Sequence, residues 1–273
     1  MDTAHFPVKQ PEQHTNQNQP VELQSKQTNS TPPVVTVHAQ RLSKIFRSVS
    51  GTILAVDEVS FAFTEGQFVA ILGPSGCGKS TLLYLLSGLD KPTSGELTID
   101  GVDVNRLSGG QEQQFRRQKL GFVFQSFHLL SRLTALENVL LPMELTGGTS
   151  DKAMHSRART LLRQVGISDD RHSARPGKLS GGQQQRIAIA RALANDPRVI
   201  LADEPTGNLD SATGKLIVQM LRQLAEQERT VIVVTHDPGI AEVADVRLEM
   251  RDGRVKTIEN SIPSVSKPFS QEQ

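Results

Sequence analysis

The sequence predicts an α/β fold with a central parallel sheet, an antiparallel β subdomain ahead of it and a helical subdomain inserted into it. Four short apolar runs end at polar residues, as buried parallel strands do: 68–72, 121–124, 199–202 and 231–234. Strand-like segments between turn residues precede the first run. Segments with apolar residues three and four apart lie between the second and third runs, which predicts helices there.

The antiparallel subdomain is predicted from short strands at 34–37, 53–56 and 59–63, separated by turn residues. A further strand pair at 97–102 turns at Asp100-Gly101, a hairpin signal. The inserted helices are predicted within 134–176, separated by Gly147-Gly148. In the chain, the predicted antiparallel strands lie before and after the first buried run, and the predicted helices lie between the second and third runs.

A glycine-rich segment joins the first buried run to a helix, and we call it the P-loop (residues 73–81). It fits the pattern G-x-x-x-x-G-K-[ST], which cradles phosphates where a strand leads in and a helix leads out. The glycines let backbone amides approach an anion, and the helix start adds free N–H groups and a positive dipole. Lys79 would reach the β- and γ-phosphates, and Ser80 would ligate Mg²⁺. The predicted nucleotide-binding residues are Gly73, Pro74, Ser75, Gly76, Cys77, Gly78, Lys79, Ser80 and Thr81.

A second helix start suited to an anion follows Leu179-Ser180-Gly181-Gly182-Gln183 (residues 179–183, the signature segment). Ser180 is a good N-cap, and the two glycines leave the helix terminus open. One γ-phosphate is not easily surrounded by both sites on a rigid monomer, so two copies facing each other become a hypothesis. The same five letters occur at 107–111, ahead of a polar helix, and we interpret that copy as a coincidence.

The signature segment resembles that of the ATP-binding cassette (ABC) ATPases, and five motifs within 34–257 follow the order of that family. The run 199–204 resembles its Walker B segment, so Asp203 is assigned to Mg²⁺ and Glu204 to the attacking water. The resemblance implies that Asp210 lies at a dimer contact and that His236 is the switch histidine beside the γ-phosphate.

Three further assignments complete the predicted site. Gln125 follows the run 121–124, where its side chain would reach Mg²⁺ or the attacking water and pass movement to the helical subdomain. Phe46 precedes a polar loop and is either an aromatic that stacks on adenine or a packing residue; the resemblance favours stacking, although tyrosine is commoner there. The resemblance also implies contacts to the nucleotide of a second copy from the signature segment and the dimer contact: Ser180, Gly181, Gly182, Gln183 and Asp210.

The domain organisation follows from composition. Residues 1–33 contain six Gln, three Asn and five Pro with little to bury, which predicts a disordered tail. The ABC ATPase domain is predicted at 34–257 with its helical subdomain at about 126–180, and a polar tail at 258–273. Net charge is +1, which gives no reason to expect nucleic-acid binding. No apolar run reaches the roughly 18 residues of a membrane span, so a membrane role requires a partner.

The predicted function is ATP binding and hydrolysis coupled to transport, with ATP and Mg²⁺ as cofactors. Segments 121–139 and 201–210 resemble the lipoprotein-release and macrolide-export branch, which implies an integral membrane permease as partner and a homodimer or heterodimer of ATPase subunits. The single cysteine and the polar start favour the cytoplasmic face of the membrane. An amino-acid importer ATPase is the closest alternative. A soluble ABC protein and a nucleotide kinase are less favoured, and the transported substrate stays open.

Overall fold

The computed structural model describes Met1 and residues 34–48 and 51–261. The predicted tail at 1–33 lies outside the described residues apart from Met1. The strands are β1 (Val35–Ser48), β2 (Gly51–Thr64), β3 (Phe68–Leu72), β4 (Ser94–Ile99), β5 (Val102–Asp103), β6 (Leu120–Phe124), β7 (Val199–Asp203), β8 (Thr230–Val234), β9 (Val246–Arg251) and β10 (Arg254–Asn260). The α-helices are α1 (Lys79–Leu86), α2 (Gly110–Lys119), α3 (Ala135–Thr146), α4 (Asp151–Gln164), α5 (Gly181–Ala192), α6 (Ser211–Glu226) and α7 (Pro238–Glu242).

The larger sheet has six strands in the order β10-β9-β3-β8-β7-β6. Strands β9, β3, β8, β7 and β6 run parallel, and β10 pairs antiparallel with β9. The four buried runs of the sequence form the neighbouring strands β3, β8, β7 and β6, which confirms the predicted α/β fold. Their carboxyl ends meet at one edge of the sheet, which is where ligands bind in open α/β sheets.

Alternate residues of this sheet face opposite layers of the core. Phe68 and Ala70 belong to a buried cluster that includes side chains of α3, α4, α5 and α6. Val69 and Ile71 belong to a second cluster with α1 and the smaller sheet. Because both faces are covered, the strands are continuous apolar runs with no polar alternation.

The smaller sheet is antiparallel, with strand order β2-β1-β4-β5. The sequence predicts short strands interrupted near residues 57–58, but β1 and β2 are each 14 residues long and those positions lie inside β2. Register shifts between Ala39 and Leu42 and between Leu42 and Lys44 explain the difference. A β-bulge absorbs an extra residue without ending the strand, so turn-like residues do not break this hairpin.

The helical insertion lies between β6 and β7 in the chain, as predicted. Thr134 caps α3 in a capping box with Glu137, and α4 begins at Asp151 after the predicted glycine break. The Leu136 amide donates to the His172 carbonyl (3.0 Å), and Asn195 Nδ2 donates to the Pro142 carbonyl (3.0 Å). The first bond ties the start of α3 to the end of the insertion. The second ties the second half of α3 to the turn after α5.

The last described strands of the chain form the β9–β10 hairpin. Strand β10 runs to Asn260, three residues past the predicted limit at 257. Asn260 still lies opposite Val246, and the Ser261 amide donates to the Asp245 carbonyl (2.8 Å). The polar composition of 258–260 suggests a tail, but exposed strand residues need no apolar side chains when the partner strand supplies the hydrogen bonds. The rest of the predicted tail, 262–273, lies outside the described residues.

Candidate active site

The P-loop packs directly on two neighbouring strands. A Cβ on Gly73 would lie 2.2 Å from the Met250 carbonyl oxygen of β9. A Cβ on Gly78 would lie 2.2 Å from the Ala55 carbonyl oxygen of β2. Both glycines also have positive φ, of 149° and 105°. Any larger residue would therefore lift the loop off these strands.

Lys79 is the buried cation of this loop. Its Nζ donates to the carbonyl oxygens of Gly73 (2.7 Å) and Pro74 (3.0 Å). A buried ammonium requires acceptors, and these two carbonyls satisfy part of its hydrogen-bonding capacity. Phosphate oxygens bind an ammonium more strongly because they are charged, so Lys79 can exchange the carbonyls for a nucleotide.

Two carboxylates lie at the carboxyl end of β7, next to β8. Burial raises the pKa of Asp203, and the neighbouring charge of Glu204 raises it further, while Lys79 lowers it. The desolvation cost falls on the ionised form of the Asp203 carboxyl. Asp203 is thus a carboxylate whose charge is incompletely compensated by the protein, which suits it to a cation.

Glu204 is held by three groups of β8 and the residues that follow it. Its amide donates to the Val234 carbonyl (2.9 Å), and Thr235 Oγ1 donates to its Oε2 (3.1 Å). His236 Nδ1 lies 2.7 Å from its Oε1. Glu204 has φ of 44°, a left-handed conformation that costs a non-glycine residue about 1–2 kcal/mol. The surrounding bonds maintain this strained geometry, and they fix both carboxylate oxygens.

These groups share one cavity of about 880 Å³. The predicted residues that line it come from the P-loop, the end of β7, the end of β8 and β1: Phe46, Gly73, Pro74, Ser75, Gly76, Gly78, Lys79, Ser80, Thr81, Asp203, Glu204 and His236. The His236 side chain is 76% exposed, so it is open to a ligand in the cavity. The fold therefore brings a cation, two carboxylates and an imidazole to one opening.

The apolar end of the cavity is built on the β1–β2 hairpin. Phe46 lies opposite Ile53 in the hairpin register, and both side chains are exposed, as is that of Leu54. Lys44 Nζ lies 5.0 Å from the centre of the Phe46 ring. Such an exposed aromatic and aliphatic surface beside a phosphate loop suits a planar base.

Sequence reasoning missed six residues that line the cavity. They come from β2, β8 and the β9–β10 turn: Ile53, Leu54, Ala55, Val234, Asp252 and Gly253. The hairpin register of Phe46 could have indicated the β2 members. The β9–β10 turn could not be found from the sequence, because its approach to the P-loop, through the Gly253 amide and the Cys77 carbonyl (3.0 Å), is a tertiary contact.

Several predicted site residues do not line this cavity. Cys77 is buried beneath the loop, with its Sγ 4.0 Å from Lys79 Nζ. The Gln125 side chain lies against Gly207, and the Gln125 backbone carbonyl accepts a hydrogen bond from Asn208 Nδ2 (3.0 Å). Gln125 therefore contacts the segment after Glu204, and its predicted roles toward Mg²⁺ and water stay predictions.

The signature segment forms a separate helix start. Ser180 caps α5, accepting from the Gln183 amide (3.2 Å) while Gln183 Oε1 accepts from the Ser180 amide (2.9 Å). A Cβ on Gly182 would lie 2.5 Å from Thr213 Cγ2. Asp210 caps α6 through Thr213 Oγ1 (2.7 Å) and the Thr213 amide (3.0 Å), which lowers its pKa. The signature segment and Asp210 thus share one patch, outside the cavity that holds the P-loop.

The chain matches known proteins over most of its length. The family model described as ABC transporter matches residues 56–207. An uncharacterized ABC transporter ATP-binding protein of Thermotoga maritima is 51% identical over 216 residues, which cover 79% of this chain and 92% of that protein. The lipoprotein-releasing system ATP-binding protein LolD 1 of Chlorobium chlorochromatii is 44% identical, with 82% and 91% covered. The macrolide export ATP-binding/permease protein MacB 1/2 of Paracoccus denitrificans is 46% identical over 80% of this chain and 32% of its own length.

A solved structure agrees with these sequence matches. The dimeric post-hydrolysis state of the ATP-binding cassette MJ0796 bound to ADP and Pi is 44% identical, with a TM-score of 0.76 over 82% of this chain and 98% of that one. MJ0796 comes from Methanocaldococcus jannaschii. The fold and family expected from the order of five motifs are confirmed. The chain belongs to the ABC transporter family, as one of its ATPase subunits.

Proposed function

We propose that this chain binds ATP with Mg²⁺ in the P-loop cavity and hydrolyses it when a second ATPase subunit closes the site. One observation carries the proposal. The catalytic cluster of Glu204 and His236 opens into the P-loop cavity, while the signature segment faces elsewhere on the same subunit. The γ-phosphate side of the cavity is therefore left for the signature segment of a partner, in a head-to-tail pair.

The residues present fit Mg²⁺. A hydroxyl and a carboxylate, from Ser80 and Asp203, line the cavity, and hard oxygen donors are the ligands that Mg²⁺ takes. Within residues 34–48 and 51–261 no group of three or more His, Cys, Asp or Glu side chains forms a metal cage. Mg²⁺ in nucleotide sites is held by few protein ligands plus phosphates, so this donor set suits it. When bound, it neutralises charge on the β- and γ-phosphates.

The protein's own groups account for the chemistry. Glu204 polarises the attacking water, and His236 and Thr235 fix its two carboxylate oxygens. Lys79 and the P-loop amides bind the phosphates, and Phe46 stacks on the base. The partner's helix start at Ser180, Gly181 and Gly182 adds amides aimed at the transferred group, where removal of one aimed donor typically costs about 3 kcal/mol. Gln125 transmits the closing movement to the helical subdomain, and Asp210 contacts the partner subunit.

The proposed partner in the cell is an integral membrane permease, which holds this chain on the cytoplasmic face of the membrane. In the part of the chain that the structure describes, no helix has the length and apolarity needed to cross a bilayer. The similarity to a lipoprotein-releasing ATP-binding protein and to a macrolide export protein supports an export or lipoprotein-release system as the assembly. Closing and opening of the ATPase pair would then drive the permease.

The test is the variant Glu204→Gln, which keeps volume and removes the carboxylate. We expect ATP affinity within about threefold of the wild type, a turnover at least 100-fold lower, and an ATP-dependent dimer in size-exclusion chromatography. The matched control is Glu96→Gln, an exposed residue of β4, which should retain turnover and release its dimer. A Glu204→Gln protein that still hydrolyses ATP, or stays monomeric with ATP, contradicts the proposal.

A further inference from the structure

Gln185 is a buried amide in α5 that the proposed chemistry does not use. Its side chain is fully buried, and its Nε2 donates to the Pro205 carbonyl (2.6 Å). Its Oε1 is buried and has no partner within the described residues. An unpaired buried acceptor is costly, and an apolar side chain would avoid that cost. We therefore expect the amide at position 185 to serve through its Nε2 donor, which bonds the Pro205 carbonyl.

The Pro205 carbonyl belongs to the peptide between Pro205 and Thr206, one residue beyond Glu204. The backbone of Glu204 is in a left-handed conformation, with φ of 44°. On one side its amide is bonded to the Val234 carbonyl (2.9 Å) of β8. On the other side the bond from Gln185 fixes the next carbonyl to α5. The strained residue Glu204 is therefore held between β8 of the sheet and helix α5.

We propose that Gln185 is a positioning residue: it couples the position of the Glu204 carboxylate to the position of helix α5. This inference rests on the proposed role of Glu204 as the residue that polarises water. Gly182, three residues earlier on α5, packs against Thr213 beyond Glu204 in the chain, so a shift of α5 acts on the segment after Glu204 at two points. Without the Nε2 donor the Pro205–Thr206 peptide is free to rotate, and that movement reaches Glu204 through Pro205. A displacement of about 1 Å in a catalytic group can cost about 100-fold in rate.

The test replaces Gln185 by methionine, which has a similar volume and no donor. We expect kcat to fall at least tenfold, with the KM for ATP and the equilibrium affinity for ATP within twofold. The matched control is Gln184→Met, because Gln184 Nε2 also donates to a backbone carbonyl, that of Leu179 (3.1 Å). Its kcat should stay within twofold of the wild type. A Gln185→Met protein with wild-type kcat overturns the inference.

A second readout separates positioning of Glu204 from damage to the signature helix. The double variant Glu204→Gln/Gln185→Met should still form the ATP-dependent dimer of Glu204→Gln, because the phosphate contacts of α5 are retained. Loss of that dimer would show that Gln185 shapes the helix start and would overturn the inference. Turnover in the single variant Glu204→Gln, by contrast, refutes the proposed function and not only the role of Gln185.

A donor-bearing variant keeps the inference testable if Gln185→Met does not fold. Gln185→Glu retains the volume, and at pH 6 a buried carboxyl is neutral and can donate its proton to the Pro205 carbonyl. At that pH its kcat should be at least half of the wild-type value and at least fivefold above that of Gln185→Met where the latter folds. A folded Gln185→Glu protein with a kcat tenfold below the wild type at pH 6 overturns the inference.

Discussion

The pentapeptide Leu-Ser-Gly-Gly-Gln occurs twice, and the two copies fold differently. Each follows a 3₁₀ turn and precedes a helix. In the signature segment the helix begins at Gly181 with Ser180 as N-cap. In the copy at 107–111 the helix begins one letter later, at Gly110, with Gly109 as N-cap at φ of 53°. Five identical residues therefore do not determine where a helix starts.

The helices that follow explain the difference. Helix α5 is buried along most of its length, including Ile187 and Ile189, so the core fixes its rotation and its first turn. Helix α2 buries only Phe115 among its own residues. Its start is a looser turn, in which the Gln111 amide donates to the Ser108 carbonyl (3.1 Å) three residues back. Tertiary packing, and not the pentapeptide, selects the open helix start.

The surroundings differ in the same direction. Gly182 of the signature segment touches Thr213, and Gly181 lies close to Leu209 and Phe127. A Cβ on Gly109 or Gly110 would meet nothing within 4 Å. Only the copy at 179–183 lies beside the segment that leads from Glu204 to α6, which agrees with interpreting the other copy as a coincidence.

The largest expected contrast is between Gly181→Asp and Gly110→Asp, each at the first residue of its helix. Neither position has positive φ or a clash for a Cβ, and an acidic residue suits a helix start, so both variants should fold. A carboxylate at Gly181 would repel the γ-phosphate of the partner, and we expect ATP turnover to fall at least 100-fold. Gly110→Asp should stay within twofold. Equal turnover in the two variants, measured as phosphate release, would remove the functional distinction between the copies.

A smaller contrast separates Gly182→Ala from Gly109→Ala, because the two glycines are needed for different reasons. A methyl group on Gly182 would lie 2.5 Å from Thr213 Cγ2, so α6 or α5 must move, and we expect turnover to fall about tenfold. Gly109 has open space but a φ of 53° and a ψ of −120°, a region that other residues rarely adopt, so alanine there should cost about 1–3 kcal/mol of stability without changing turnover. Urea unfolding and steady-state ATPase assays measure the two effects. The distinction fails if Gly109→Ala is the variant that loses activity.

Much of the fold was predictable because its signals are local. The P-loop, the capping residue Ser180 and the strand-end residues Asp203, Glu204 and His236 each follow from a short pattern, and the structure brings the last three together with the P-loop. The strands of a buried parallel sheet are continuous apolar runs in the sequence. Because the strands are parallel, their carboxyl ends lie at the same edge of the sheet.

What could not be predicted depends on contacts between distant segments. Strand β2 is continuous because β-bulges accommodate residues 57–58, whereas the sequence at 57–58 resembles a turn. The placement of Gln125 against Gly207, and the approach of Gly253 to the P-loop, follow from packing across the sheet. Gln185 is one of three successive glutamines, and nothing in the letters distinguishes the buried one from its neighbours.

A stability contrast tests the two helix starts without nucleotide. Ser180 Oγ accepts the Gln183 amide (3.2 Å) as the N-cap of α5, and loss of such a cap typically costs about 1 kcal/mol. Ser108 is not the N-cap of α2, and its hydroxyl is exposed beside Gln111 Oε1 (3.4 Å). Ser180→Ala should therefore lower the free energy of unfolding by about 1 kcal/mol, and Ser108→Ala by nearly nothing. Equal losses in urea unfolding would mean that both serines cap their helices.

The smallest expected effect is the pH dependence of stability that arises from Asp210, the N-cap of α6. Hydrogen bonds from Thr213 lower the pKa of Asp210, so its folded pKa lies below the unfolded value of about 3.9. That stabilisation is present above the unfolded pKa and is lost as pH falls through the folded pKa. Thr213→Val keeps the shape that meets Gly182 and removes the hydroxyl donor, so the Asp210 pKa should rise in a carboxyl NMR titration. The variant should be slightly less stable than the wild type at pH 7, and the difference should shrink as pH falls below about 4. Ser108→Ala should show no such pH dependence, because α2 is capped by a glycine; a pH-independent loss in Thr213→Val would assign its effect to packing against α5 instead.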